Sequence, residues 1–134
     1  MQAKTEAPKV GGVIWITGFS GSGKTTVGRK VINDLKEQGI HAILLDGDDL
    51  RSIFADRWGY ERENRIELAH VYFRLCSHLA SQGSTVVISA NAMYEEIRTW
   101  VQTFIPNSIV VYLGVPEDER HRRDQSTKRI YSRL

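Results

Sequence analysis

The chain is poor in cysteine and proline, with one Cys and three Pro among 134 residues. A single cysteine excludes an intrachain disulfide. Cys76 stands in a helical pattern with Phe73, Leu75 and Leu79, which reads as a buried structural thiol and not a reactive one. No apolar run approaches the roughly 18 residues of a membrane-spanning helix. Neither sign of charge dominates: 18 Lys and Arg face 16 Asp and Glu, for a net charge of +2. Charge therefore gives no case for a nucleic-acid partner. The basicity that exists is local, at Arg120, Arg122, Arg123, Lys128, Arg129 and Arg133. Residues 1–9 are polar and lack the apolar core of a signal peptide, so a reducing cytoplasm is the expected compartment.

What remains is ordinary for one globular domain, with 41% hydrophobic and 25% charged residues. Residues 1–11 read as a disordered lead-in, and 12–134 as the domain. Within it, strand-like and helix-like segments alternate. Strands are expected at 13–17, 42–45, 85–89 and 109–113, where β-branched and apolar residues cluster. Helices are expected at 25–38, 48–54, 61–82 and 94–104, with a last one starting at Pro116. Val27, Val31, Ile32 and Leu35 fall on one face of the first helix, and Gly39 and Gly83 stand where helices end. Alternation of this kind predicts a parallel sheet covered on both faces. Ligands then bind beyond the carboxyl ends of the strands, just after Thr17, Leu45, Ser89 and Leu113. Trp15, Trp58 and Trp100 read as packing residues, with Trp58 in a loop beside that edge.

The first of these edges carries Gly18-Phe19-Ser20-Gly21-Ser22-Gly23-Lys24-Thr25, which fits the phosphate-binding pattern G-x-x-x-x-G-K-[ST]. The pattern needs a strand before it and a helix after it, and both are expected here. Gly18, Gly21 and Gly23 allow the backbone to wrap phosphate oxygens. The N–H groups of Ser20, Ser22 and Thr26 belong to the same cradle, at the positive end of a helix. Lys24 reaches the β- and γ-phosphates, and Thr25 offers its hydroxyl to Mg²⁺. A nucleoside triphosphate with Mg²⁺ is the ligand this predicts.

The second edge carries Asp46-Gly47-Asp48-Asp49-Leu50-Arg51. Two carboxylates one glycine apart, near a γ-phosphate, suit phosphoryl transfer: one supports the metal region and the other receives or orients the proton of an attacking hydroxyl. Asp48 is equally a good helix N-cap, and both roles are compatible. Arg51 and Arg65 present planar forks suited to phosphate or sulfate. Tyr60 stacks on a base or simply packs. Arg123 to Arg133 is either a solvated helix face or an arginine-bearing lid that closes over the phosphates and excludes water. The histidines show no metal-ligand spacing.

Together, Trp15 to Thr25, Leu44 to Arg51, Gly59-Tyr60, Arg65 and Arg123-Asp124 resemble the adenylylsulfate kinases, a family of P-loop kinases. The Leu-Asp-Gly-Asp-x-x-Arg run is more specific than the phosphate loop, and the likeness covers nearly everything after residue 12. The resemblance implies a three-layer α/β/α P-loop NTPase fold with a parallel sheet of about four strands. The family's fifth strand lies past Leu134, so the chain resembles a C-terminally truncated member, with 120–134 as a partial lid. It implies ATP-dependent phosphorylation of the ribose 3′-hydroxyl of adenylylsulfate, a step of sulfate assimilation. Asp48 would be the hydroxyl's partner, with Asp46 and Lys24 completing the catalytic group. Arg51 and Arg65 would hold the phosphosulfate, Tyr60 would stack on the adenine, and Arg123 would contact ATP. The chain departs from the family at Leu68, where members carry asparagine, and by two extra residues in the lid. Alternative readings are a kinase for another nucleotide, such as a cytidine diphosphoramidate kinase, and a nucleotide-binding remnant without turnover. The expected partner is a small nucleotide, and a homodimer is compatible with it.

Overall fold

The computed structural model describes residues 11–18, 23–54 and 57–114. Its four strands are β1 (Val13–Thr17), β2 (Ile43–Asp46), β3 (Val86–Ser89) and β4 (Ser108–Tyr112). The helices are α1 (Lys24–Glu37), α2 (Gly47–Ile53), α3 (Arg62–Ser81) and α4 (Glu95–Phe104). These ranges agree with the apolar periodicity to within a residue or two. Gly39 and Gly83 follow α1 and α3 at φ 83° and 93°, the left-handed conformation that ends a helix and that glycine adopts without strain.

The strands run parallel in the order β2-β3-β1-β4. Because side chains alternate along a strand, the register sorts them onto two faces. Ile14, Ile16, Leu44, Asp46, Val87 and Ser89 share one face, and α1 covers it. The helix comes close there: a Cβ on Gly28 would lie 3.2 Å from Leu44 Cδ1. Val13, Trp15, Val86 and Ile88 point to the other face, where α3 and α4 supply Phe73, Cys76, Ile97 and Val101. All of these are essentially buried. Each large one contributes about 1.5–3 kcal/mol of apolar transfer. Trp15 and Phe73 pack with ring centroids 4.5 Å apart.

The two faces are not equally closed. Gly28 is the one buried residue of α1, and Val27, Val31, Ile32 and Leu35 are half-buried. Ile109 of β4, paired with Ile14 on that face, is 62% exposed. Gly11 already belongs to the folded body, since its N–H donates to Ala80 O at 2.9 Å. Among the described residues no helix is long and apolar enough to cross a membrane. The helix expected from Pro116, the lid at 120–134 and residues 1–10 of the lead-in lie outside the described residues.

Candidate active site

The chain leaves β1 toward β2 and leaves β3 toward β4, on opposite sides of the β3–β1 pair. That divergence opens a crevice at the carboxyl edge of the sheet, the place where α/β folds bind ligands. A cleft of about 600 Å³ lies there, lined on one side by Gly23, Lys24, Thr25 and Thr26 and on the other by Asp48, Arg51, Tyr60 and Arg65. Asp46, Gly47, Ser89, Ala90 and Asn91 form its floor.

The phosphate-loop side is built from the start of α1. Gly23 takes φ 92°, a left-handed turn open to glycine, and Val27 N–H donates to Gly23 O at 2.9 Å to begin the helix. No side chain caps this N-terminus, and its first turn carries no acid. Its leading N–H groups and positive dipole end are therefore well suited to an anion. Lys24 Nζ donates to Gly18 O at 2.9 Å, across the loop. Partial burial lowers the Lys24 pKa from its ordinary value, and the charges of Asp48 and Asp46 offset this only in part. An ammonium held in that condition gains from a polyanion placed beside it. Ser20, Gly21, Ser22 and Arg123 lie outside the described residues.

Thr25 Oγ1 donates to Asp46 Oδ2 at 3.0 Å, which joins the loop's hydroxyl to the second strand edge. The other oxygen of Asp46 caps α2: Oδ1 accepts from the N–H groups of Asp48 at 2.9 Å and Asp49 at 3.4 Å. The cap is thus Asp46 and not Asp48. A cap requires extended backbone, and Asp46 ends a strand at φ −106°, ψ 134°, whereas Asp48 is already helical. Asp48 is left with an exposed carboxylate at the mouth of the cleft, close enough to Lys24 for their charges to interact. Gly47 packs tightly below it, since an added Cβ would meet Ser89 O at 3.3 Å.

On the facing side, Arg51 Nη1 donates to Trp58 O at 2.6 Å and Nη2 to Gly59 O at 3.4 Å. Its guanidinium lies 4.0 Å from the centroid of Tyr60, a ring 72% exposed. Trp58 packs against the core and Phe54, so its place in the loop is structural. Arg65 is exposed on the first turns of α3, 5.9 Å from the centroid of Tyr94. Asp48, Arg51, Arg65 and Asn91 also line a recess of about 130 Å³, whose other walls are Leu68, Ala69, Tyr72, Ala90 and Ala92. Two bonds fix its position: Tyr72 OH donates to Gly47 O at 3.0 Å, partly buried, and Trp15 Nε1 donates to Ala90 O at 2.9 Å, fully buried.

The structure therefore gathers Lys24, Thr25, Thr26, Asp46, Asp48, Arg51, Tyr60 and Arg65 around one cleft. Three features escape a reading of the sequence: the cap at Asp46, the recess walled in part by Leu68, Ala69 and Ala92, and Ser89 in the floor. Ser89 offers one faint signal, a hydroxyl at the last position of an otherwise apolar strand.

A model of the adenylylsulphate kinase family matches residues 10–133. The chain is 34% identical over 121 residues to the cytidine diphosphoramidate kinase of Campylobacter jejuni, covering 90% of this chain and 69% of that one. It is also 34% identical over 125 residues to the adenylyl-sulfate kinase of a Picosynechococcus, covering 92% and 68%. Among solved structures, the Mycobacterium tuberculosis APS kinase in complex with AMPPNP and APS matches with a TM-score of 0.69 at 32% identity, covering 95% of this chain and 75% of that one. The strand order, the cleft and the matched span converge on one assignment: the chain belongs to the adenylylsulphate kinase family and is a phosphotransferase with an ATP-using P-loop fold.

Proposed function

We propose that the chain transfers the γ-phosphate of Mg²⁺-ATP to the ribose 3′-hydroxyl of adenylylsulfate. The observation that supports this most is that one cleft holds both the phosphate-loop residues Lys24 and Thr25 and the second-edge residues Asp48, Arg51, Tyr60 and Arg65. In this reading the start of α1 and Lys24 cradle the triphosphate and neutralise charge that builds during transfer. Thr25 and Asp46 supply the oxygen donors that Mg²⁺ prefers, and their hydrogen bond already sets the pair in place. The ion's part is to neutralise the β- and γ-phosphate oxygens. Asp48, exposed and uncommitted to the helix cap, takes or orients the acceptor's hydroxyl proton. Tyr60 offers its open ring to the base, while Arg51 and Arg65 face the acceptor's anionic group.

A second acceptor is favoured by a specific observation. The cytidine diphosphoramidate kinase relative is as similar as the adenylyl-sulfate kinases, at 34% identity. The recess that Arg51, Arg65 and Asn91 share with Leu68, Ala69, Ala90 and Ala92 would receive the anionic group of either acceptor. A coupled ADP-release assay decides between them, run with adenylylsulfate, with cytidine diphosphoramidate and with no acceptor. The expected result is rapid release with adenylylsulfate, lowered about 10²–10⁴-fold in Asp48→Asn, the range of a lost proton acceptor. Faster release with the cytidine compound moves the assignment to the second acceptor. Release that no nucleotide acceptor accelerates rejects the kinase reading.

A further inference from the structure

Ser89 closes β3 with a hydroxyl that has no hydrogen-bond partner among the described residues, although the residue is only 3% exposed. A buried hydroxyl left unsatisfied costs about 1–3 kcal/mol, a cost that alanine, nearly the same shape, would avoid. A partner from outside the chain, a water or a ligand, would satisfy it. Its surroundings narrow the chemistry. Ser89 is the register partner of Asp46 in β2, and in a parallel ladder such partners share a face. On that face Asp46 Oδ2 accepts from Thr25 Oγ1 at 3.0 Å, and all three residues line the same cleft. Three residues with side-chain oxygens, one of them a carboxylate, thus line one side of the cleft beside Gly23 and Lys24. A carboxylate repels a phosphate oxygen and attracts a cation or the water around it. Magnesium keeps several of its waters when bound, and such waters need hydrogen-bond acceptors.

We infer that Ser89 is a positioning residue for a hydrated divalent cation, its hydroxyl holding one of the ion's waters beside Thr25 and Asp46. The inference rests on the ATP-site reading above and extends it to a strand that the phosphate-loop motif does not include. It also assigns the end of β3 a part in donor binding, while the next residues Ala90 and Asn91 line both the main cleft and the recess beside Arg51 and Arg65.

The test is calorimetric titration of the full chain and of Ser89→Ala with a non-hydrolysable ATP analogue, once with Mg²⁺ and once with EDTA. Melting of both proteins without ligand is measured alongside. In wild type, Mg²⁺ should tighten binding about tenfold or more, and Ser89→Ala should lose about fivefold of that gain, as one hydrogen bond is worth. In EDTA the two proteins should bind alike. Without ligand the variant should melt at the same temperature as wild type or higher, because the orphan hydroxyl is gone. An undiminished Mg²⁺ gain in the variant overturns the inference, and so does an equal loss with Mg²⁺ and with EDTA. A lower melting temperature without ligand overturns it too, by showing the hydroxyl to be satisfied within the fold. A wild type indifferent to Mg²⁺ overturns the ATP-site reading itself, and this inference with it.

Discussion

On one side of the cleft, Lys24 spans 2.9 Å to Gly18 O and Thr25 spans 3.0 Å to Asp46, both fixed to the ends of sheet strands. On the other, Arg51 lies 4.0 Å over a tyrosine that is 72% exposed, and Arg65 stands in solvent. In the proposed reading the first is the donor side, held by helix α1 and the strand register, with Lys24 and Thr25 hydrogen-bonded across to Gly18 and Asp46. The acceptor side relies on α2, the turn through Gly59 and the first turns of α3, and its cations are tied to carbonyls and rings that a substrate would have to replace or share. Preorganisation spares binding the ordering of side chains, while the looser side must spend binding energy on it. Losses on the donor side should therefore appear in the chemical step, and losses on the acceptor side in affinity.

The sharpest break of this contrast is Lys24→Ala. Removing the ammonium should lower kcat about 10²–10³-fold, as loss of one preorganised charge donor does. Turnover near wild type in a steady-state assay would show that the donor side works without it. Arg65→Ala should do less and in a different place. The acceptor KM should rise about tenfold, the worth of a charged hydrogen bond, and the ATP KM should stay unchanged. A rise confined to ATP would mean that the two sides are exchanged.

The smallest effect concerns how α3, exposed at Arg65, is anchored at its other end. Burial pushes the Cys76 thiol from 9.0 up to about 12. The folded chain thus keeps a proton that the unfolded chain releases. The thiol's contribution to stability is whole below pH 9.0 and is lost as pH climbs toward about 12. Between those values urea stability of wild type should fall more steeply with pH than that of Cys76→Ala, by roughly 1 kcal/mol per pH unit. Equal slopes would mean that water reaches this end of α3 as well.

Much of the fold is legible in the residues because local signals agree with the packing. The β-branched run 85–89 becomes the centre of the sheet, and Gly39 and Gly83 end their helices in the conformation glycine favours. The donor side is legible for the same reason, since one continuous stretch carries it. The acceptor side is less so. Asp46 and Asp48 are equal as capping residues by type, and only the extended backbone at the strand end decides between them. The recess draws Leu68 and Ala69 from α3 and Ala92 from the loop after β3, a meeting that no spacing announces. Ser89 acquires meaning only when the register sets it beside Asp46.

Trp15 carries one more implication. Its indole N–H, buried 75 positions away in sequence from the carbonyl it meets, fastens Ala90 to the strand that leads into Gly18. That bond ties the end of β3 to β1 by a buried side chain as well as by the strand ladder. In the proposed reading, the spacing between the phosphorus and the incoming oxygen would then be set by the sheet, and the outer loops need only deliver their cargo to it.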